Sequence, residues 1–226
     1  MSQLDNAYQN VKRFRGNALR TRIANLESRL QGMDNQSCEA LFAGQGINPS
    51  LLMAALIIKK ASSQINEIVH ALGIVLSLPY LLRQGEIIEY VSLGAGNTGR
   101  PFDLETNFRI AEFKFTDWKG GPEAIRQNQL FKDFYLLAEY DTTKERYLYF
   151  VGATVPLKFF NSRRALSSVM SRSNKLWATF QQQYGTQFTT ISDYYHYRQS
   201  HVKLVDLVTV VPFFEQQAVV EDLSNE

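Results

Sequence analysis

Three short strand-like segments that follow one another closely constrain the fold of this chain more than any other feature. Their apolar, β-branched and aromatic residues are typical of strands, and glycine-rich or Thr-Asn turns separate them. They lie at 86–93, 101–105 and 108–115. Helical periodicity precedes them at 51–82 and follows them at 123–140, before a fourth strand at 146–152. The order α-β-β-β-α-β predicts an α/β (α+β) fold.

The segments outside this core predict an arm, two additions and a tail. Residues 4–31 have helical periodicity and carry six lysines and arginines against two acidic residues, whereas 32–49 contain glycines and a proline typical of a linker. A further helical segment and a late strand, at 162–184 and 202–211, would extend the core. We therefore expect a basic helical arm with its linker at 1–49, a main domain at 50–215 and an acidic flexible tail at 216–226.

Composition excludes several classes of protein. The chain has 226 residues, of which 45% are hydrophobic and 20% charged, so it can bury a core without disulfides and is not a disordered protein. Its single cysteine, Cys38, excludes a disulfide framework and a cysteine-rich zinc site. The most apolar stretch, 68–82, is too interrupted for a membrane span, and the N-terminus lacks an export signal. We therefore expect a cytoplasmic protein that does not enter a membrane.

The third strand carries a charged pair that suggests chemistry. Alternate strand residues share a face, so Glu112 and Lys114 project together, while Phe108 and Ile110 are expected to hold the strand against the core. Asp103, one tight turn earlier, can face Glu112 across the hairpin. Two neighbouring carboxylates repel each other, and Mg²⁺, for which Mn²⁺ can substitute, would stabilise both in the ionised state. A lysine beside such a metal can orient or deprotonate water, which favours metal-assisted hydrolysis of a phosphodiester.

These residues resemble the PD-(D/E)XK motif of restriction-endonuclease-like nucleases. Asp103 followed by Glu112-Phe-Lys114 is similar to the motif, and residues 50–152 follow the αβββαβ order of that family's core. One departure is Phe102, which separates proline from aspartate. The resemblance implies a mixed central sheet flanked by helices. It also implies that Asp103 and Glu112 are metal ligands and that Lys114 is the catalytic lysine of an endonuclease or exonuclease.

The resemblance also implies accessory residues near the metal. Many family members place a glutamate on the first helix, for which Glu67 is the first candidate and Glu86 and Glu89 are alternatives. Some place a glutamine on the helix after the E-x-K strand, where this chain has Gln127 and Gln129.

Basic residues favour a polyanionic partner, DNA more than RNA. One basic region is the arm, and the other is 158–175. Candidate nucleic-acid-binding residues in or near the second region and the motif are Arg100, Lys119, Arg163, Arg164, Arg172 and Lys175. The arm can instead pack on the domain or pair as a coiled coil, so a homodimer is a further expectation.

The same residues are also compatible with other interpretations. Lys114 can form an ordinary ion pair, Asp103 can stabilise its turn, and the candidate glutamate and glutamines can be solvated surface residues. The same scaffold can also be a non-catalytic module that binds nucleic acid or protein. The segment 94–99 matches G-x-G-x-x-G, but a strand follows it where a dinucleotide site needs a helix, so we expect no nucleotide cofactor; a nucleotide-binding loop is the weaker alternative.

Overall fold

The computed structural model describes residues 2–16, 18–94, 101–116, 118, 124–171 and 173–215. The chain divides into two compact units, Met1–Asn66 and Glu67–Glu226. The boundary lies in the first turn of a helix, and not at the predicted position between residues 49 and 50. The predicted tail at 216–226 lies outside the described residues.

The first unit consists of helices. They are α1 (Gln3–Arg15), α2 (Leu19–Leu30), α3 (Asn35–Gln45) and α4 (Pro49–Ala61). The predicted single helix at 4–31 is interrupted at Gly16, which has a φ of 53° and ends α1. The prediction of a linker at 32–49 is wrong in its secondary structure, because α3 lies there and the Asp34 side chain caps its start by accepting a hydrogen bond from the Ser37 amide. Helix α1 packs against α4.

The second unit contains a sheet with helices around it. Its elements are α5 (Ile65–Leu81), β1 (Ile88–Val91), β2 (Leu104–Thr106), β3 (Arg109–Lys114), α6 (Ala124–Glu139), β4 (Glu145–Phe150), α7 (Thr154–Phe160), α8 (Leu166–Met170), α9 (Asn174–Tyr184), α10 (Ile191–Arg198) and β5 (Lys203–Asp206). Two 3₁₀ turns follow β5. The order of elements from α5 to β4 confirms the predicted α-β-β-β-α-β order.

Two helical segments are divided differently from the prediction. The segment 51–82 forms α4 and α5, which separate at 62–64, whereas α5 continues through Gly73 and contains Pro79. The segment 162–184 likewise contains the separate helices α8 and α9. The late strand is shorter than predicted, because β5 ends at Asp206, whose side chain accepts a hydrogen bond from the Val208 amide and starts a 3₁₀ turn.

The five strands form one mixed sheet in the order β1-β2-β3-β4-β5. The pairs β1–β2 and β2–β3 are antiparallel, whereas β3–β4 and β4–β5 are parallel. Helix α6 makes the crossover between β3 and β4, which is the usual way to join neighbouring parallel strands. The α/β class and the mixed sheet are therefore as predicted.

Both faces of the sheet are covered, and β3 contributes to both. Ile110 lies in the apolar cluster that includes much of α6, whereas Ala111 and Phe113 lie in the cluster that includes Ile74 of α5. The prediction for Phe108 is wrong, because it precedes the strand and is 42% exposed, whereas Ile110 is 1% exposed. Because strand side chains alternate, Glu112 and Lys114 project toward α6 with Ile110.

Candidate active site

Asp103 is held beside β3 by the hairpin between β2 and β3. Leu104 pairs with Ala111 in the antiparallel register, so continuing the register by one residue places Asp103 opposite Glu112. The Asp103 amide donates to the Ala111 carbonyl at 3.1 Å. Its side-chain Oδ2 accepts a hydrogen bond from the Phe113 amide at 2.9 Å. The backbone of β3 therefore holds both the main chain and the carboxylate of Asp103.

Lys114 lies between two carboxylates. Its Nζ is 2.7 Å from Oε1 of Glu112, on the same strand, and 2.8 Å from Oδ2 of Asp133, on α6. The Lys114 side chain is 18% exposed and that of Asp133 is 7% exposed. The sequence alone also allowed an ordinary surface ion pair between Lys114 and Glu112. In the structure both side chains of this pair are largely buried.

Sequence reasoning missed Asp133, although a signal was present. It is a charged residue in the apolar stretch 130–138 of α6, where Leu130, Phe134 and Leu137 have no exposed surface. A buried charge is costly unless it is paired, so its position within this stretch indicates a partner. That partner is Lys114.

The site holds more negative than positive charge. Burial raises the pKa of Glu112 to about 7, and the carboxylates of Asp103 and Asp133 add to this rise, while Lys114 opposes it. Burial also raises the pKa of Asp133, although Lys114 opposes this rise. The Lys114 pKa lies above its ordinary range: burial opposes this, but Asp133 and Glu112 together outweigh it. One ammonium group therefore pairs with two carboxylates, Glu112 and Asp133, and a third carboxylate, Asp103, lies near Glu112.

Helix α5 contributes a histidine that sequence reasoning also missed. His70 Nε2 lies 3.3 Å from Oδ1 of Asp103. Helix α5 lies close to the sheet here, because a Cβ on Gly73 would lie 2.6 Å from the ring of Phe115, and Ile74 is fully buried. No spacing in the sequence marks His70 as a site residue, since its proximity to Asp103 depends on how α5 packs.

Two of the three candidate glutamates pair with residues outside the cluster around Lys114. Glu67 is exposed in the first turn of α5, one turn before His70. Glu86 forms a buried ion pair with Arg109, and Glu89 pairs with Lys144 on an exposed edge. The structure thus brings neither Glu86 nor Glu89 into the cluster around Lys114.

The two candidate glutamines have different contacts. Gln129 Nε2 donates to Oδ1 of Asp133 at 2.7 Å, so this side chain is connected to Lys114 through Asp133. Gln127 instead accepts a hydrogen bond from Arg164 at 3.0 Å. Of the two glutamines, Gln129 is therefore the one linked to the site.

The candidate nucleic-acid-binding residues are only partly described. Arg163 and Lys175 are exposed, and Arg164 is partly buried beside Gln127. Arg100, Lys119 and Arg172 lie outside the described residues, as does the segment 95–99 of the glycine-rich loop. A contact between any of these residues and nucleic acid stays a prediction.

Asp103 and Glu112 are side chains of the kind that a hard divalent cation prefers. In the described parts of the chain, no group of three or more His, Cys, Asp or Glu side chains is arranged to hold a metal ion. Mg²⁺ is usually bound by one or two carboxylates together with waters and substrate phosphates. Asp103 and Glu112 supply two such carboxylates; burial raises the pKa of Glu112 to about 7, the nearby Lys114 opposes this rise, and the Asp103 carboxylate adds to it.

Comparison of the chain with protein-family models, curated proteins and solved structures found no match.

Among the described residues no single helix combines the length and apolar character needed to cross a membrane, although the bent pair Asn35–Gln45 and Pro49–Leu81 meets both criteria together.

Proposed function

We propose that the protein is a Mg²⁺-dependent nuclease of the PD-(D/E)XK type, with a restriction-endonuclease-like core, and that it hydrolyses phosphodiester bonds in DNA. The observation that carries the proposal is the buried cluster of Asp103, Glu112 and Lys114, in which negative charge exceeds positive charge. Such an excess is costly in a purely structural cluster and is typical of a site that receives a cation.

Asp103 and Glu112 would hold the Mg²⁺ ion. When bound, the ion would offset their charge and polarise the phosphodiester as a Lewis acid. Asp103 needs little reorganisation for this role, because β3 already fixes its orientation through the Phe113 amide. His70, in contact with Asp103 Oδ1, would orient the same carboxylate from the α5 side.

Lys114 would act as a cation in this site. Its ammonium group is held by Glu112 and Asp133, so it is suited to orient water or to stabilise negative charge that develops on the phosphate, and less suited to remove a proton. Asp133 would keep Lys114 in place when Glu112 engages the metal. Gln129 would in turn hold Asp133.

The proposal is tested by cleavage of linear and supercoiled DNA with Mg²⁺, with Mn²⁺ and with EDTA. We expect cleavage with either metal and none with EDTA. Lys114→Ala should lower the rate at least about 10³-fold, which corresponds to about 4 kcal/mol of transition-state stabilisation. Lys203→Ala is the matched control, because Lys203 is half exposed and pairs with Glu145 on β4.

Circular dichroism should show that both variants fold. Equal cleavage by the wild type and Lys114→Ala would contradict the proposal, and so would a wild type that cleaves in EDTA. A wild type that binds DNA without cleaving it would favour the alternative of a non-catalytic nucleic-acid-binding module.

A further inference from the structure

The first unit has a groove lined by arginines. A cavity of about 630 Å³ lies along the end of α1 and along α2, and Arg15, Arg22 and Arg29 line it together with Asn25 and Ser28. The lining residues within the described chain include no aspartate or glutamate. A second cavity, of about 270 Å³, shares Arg22 with the first and adds Arg13. The two cavities form what we call the arginine groove.

Acidic side chains in the described parts of the chain do not neutralise the arginine groove. Arg22 donates to the carbonyl oxygens of Phe14 at 2.9 Å and Gln45 at 3.1 Å, and its guanidinium lies 4.6 Å from the centre of the Phe14 ring. These partners fix the position of its charge but do not cancel it. Arg13, Arg15 and Arg29 are exposed, and no ion pair joins any of the four to an acidic residue in the described ranges.

The spacing of the arginines favours a polymer over a single phosphate. Arg22 and Arg29 are seven residues apart on α2, so they share a face and lie about 10 Å apart along the helix axis. One strand of duplex DNA advances about 3.4 Å per phosphate, so this distance corresponds to about three nucleotides. Arginine guanidinium groups also match phosphate geometry with paired N–H donors.

We infer that the arginine groove binds the phosphate backbone of double-stranded DNA and docks the substrate on the first unit; the choice of DNA among polyanions rests on the proposed nuclease function. The groove contacts phosphates, so it contributes affinity without sequence preference. Its contribution therefore falls as salt concentration rises.

The test measures binding without cleavage. Fluorescence anisotropy of a labelled 20-base-pair DNA duplex is recorded with the full chain in EDTA, from 50 to 200 mM KCl. We expect Arg15→Gln/Arg29→Gln to bind at least tenfold more weakly at the lowest salt. The slope of log K against log salt should fall by about 2, since each phosphate contact contributes about 0.9.

Lys59→Gln/Lys60→Gln is the matched control. It removes the same charge from the same unit, at exposed positions in the last turn of α4 that do not line the groove. We expect less than a twofold change in affinity for this variant. Circular dichroism should show that both double variants fold.

Equal losses in the two double variants would overturn the inference, as would a wild type that does not bind the duplex. An arginine-dependent affinity that is higher for duplex RNA would overturn the choice of DNA. The assay contains no divalent metal, so a failure of the nuclease proposal leaves its readout intact, and a failure here leaves the cleavage test intact.

Discussion

The two ends of strand β3 carry two buried ion-pair clusters that differ in charge balance. At the start of the strand, Arg109 and Glu86 have side chains that are 4% and 0% exposed. Glu86 accepts hydrogen bonds from Arg109 Nε and Nη2 at 2.6 and 2.5 Å, and one from the Thr106 hydroxyl. Arg109 also donates to the Tyr149 hydroxyl at 2.7 Å. This cluster pairs one cation with one anion.

At the end of the strand, Lys114 pairs with Glu112 and Asp133, and Asp103 lies near Glu112. The pKa shifts of Glu86 and Glu112 show the contrast between the two clusters. Burial would raise the pKa of Glu86, but Arg109 and its other donors lower it below its ordinary value. Burial raises the pKa of Glu112 to about 7; Lys114 opposes this rise, and the carboxylates of Asp103 and Asp133 add to it. Burial alone therefore does not identify a functional site. A pair that satisfies itself stabilises the fold, whereas an excess of one charge suggests a missing counter-ion.

The largest effect is expected at the balanced cluster. Arg109→Ala leaves the Glu86 carboxylate buried without its partner, so it should lower the free energy of unfolding by about 3–5 kcal/mol. Urea denaturation at pH 7.5 measures this loss. Arg83→Ala is the control, because its pair with Glu145 is half exposed, and it should cost less than about 1 kcal/mol. Similar losses in the two variants would remove the contrast between a buried and an exposed pair.

Neutralising a carboxylate of the unbalanced cluster around Lys114 should raise the free energy of unfolding, whereas breaking the Arg109–Glu86 pair lowers it. The folded protein holds the Glu112 proton more tightly than the unfolded chain between pH 4.5 and about 7, so stability falls as pH rises through this window. Glu112→Gln should therefore raise the free energy of unfolding at pH 8 by about 3 kcal/mol, with no gain below pH 4.5.

Urea denaturation of Glu112→Gln at pH 4.2 and pH 8 checks this prediction, with Glu86→Gln as the matched control. The control should be destabilised at pH 8, because the pKa of Glu86 is lowered in the folded state. A Glu112→Gln variant that loses stability at pH 8 would show that the cluster is balanced after all.

A divalent cation should relieve the excess charge. At a tenfold excess over its dissociation constant, Mg²⁺ should stabilise the wild type at pH 8 by about 1.4 kcal/mol. Asp103→Asn should lose this gain, whereas Glu89→Gln should keep it, because Glu89 pairs with Lys144 outside the cluster. Thermal unfolding with MgCl₂ and with EDTA measures the shift. Equal Mg²⁺-dependent shifts in the unfolding temperature of Asp103→Asn and Glu89→Gln would show that the cation binds outside this cluster.

The smallest effect concerns the two glutamines of α6. Gln129→Ala removes the N–H donor that holds Asp133, so DNA cleavage should slow about three- to tenfold, as expected for one hydrogen bond of about 1 kcal/mol. Gln127→Ala should leave the rate unchanged, because Gln127 contacts Arg164. Single-turnover cleavage rates compare the two, and a larger loss in Gln127→Ala would reverse the assignment.

Local patterns in the sequence were sufficient for the elements that carry the motif. Strand periodicity and the Thr106-Asn107 turn predicted the β2–β3 hairpin, and alternation placed Glu112 and Lys114 on one face. These signals are local, because side-chain alternation and turn chemistry depend on neighbouring residues alone.

The missed parts of the site depend on tertiary packing. His70 and Asp133 reach the cluster from α5 and α6, whose approach to the sheet is set by residues far apart in the sequence, such as Gly73 and Phe115. The Glu86–Arg109 pair was missed for the same reason, since 23 positions separate its partners. Helix breaks at 62–64 and the short helix α3 were also not predicted, since their ends depend on capping and packing more than on periodicity.

The most direct test of the metal site is a crystal soaked with Mn²⁺ at a concentration that supports DNA cleavage, with anomalous difference density calculated at the manganese edge. The proposed metal site requires a peak within about 2.0–2.4 Å of carboxylate oxygens of both Asp103 and Glu112, with Lys114 still in contact with Asp133. Absence of the peak, or a peak elsewhere on the molecule, would contradict it.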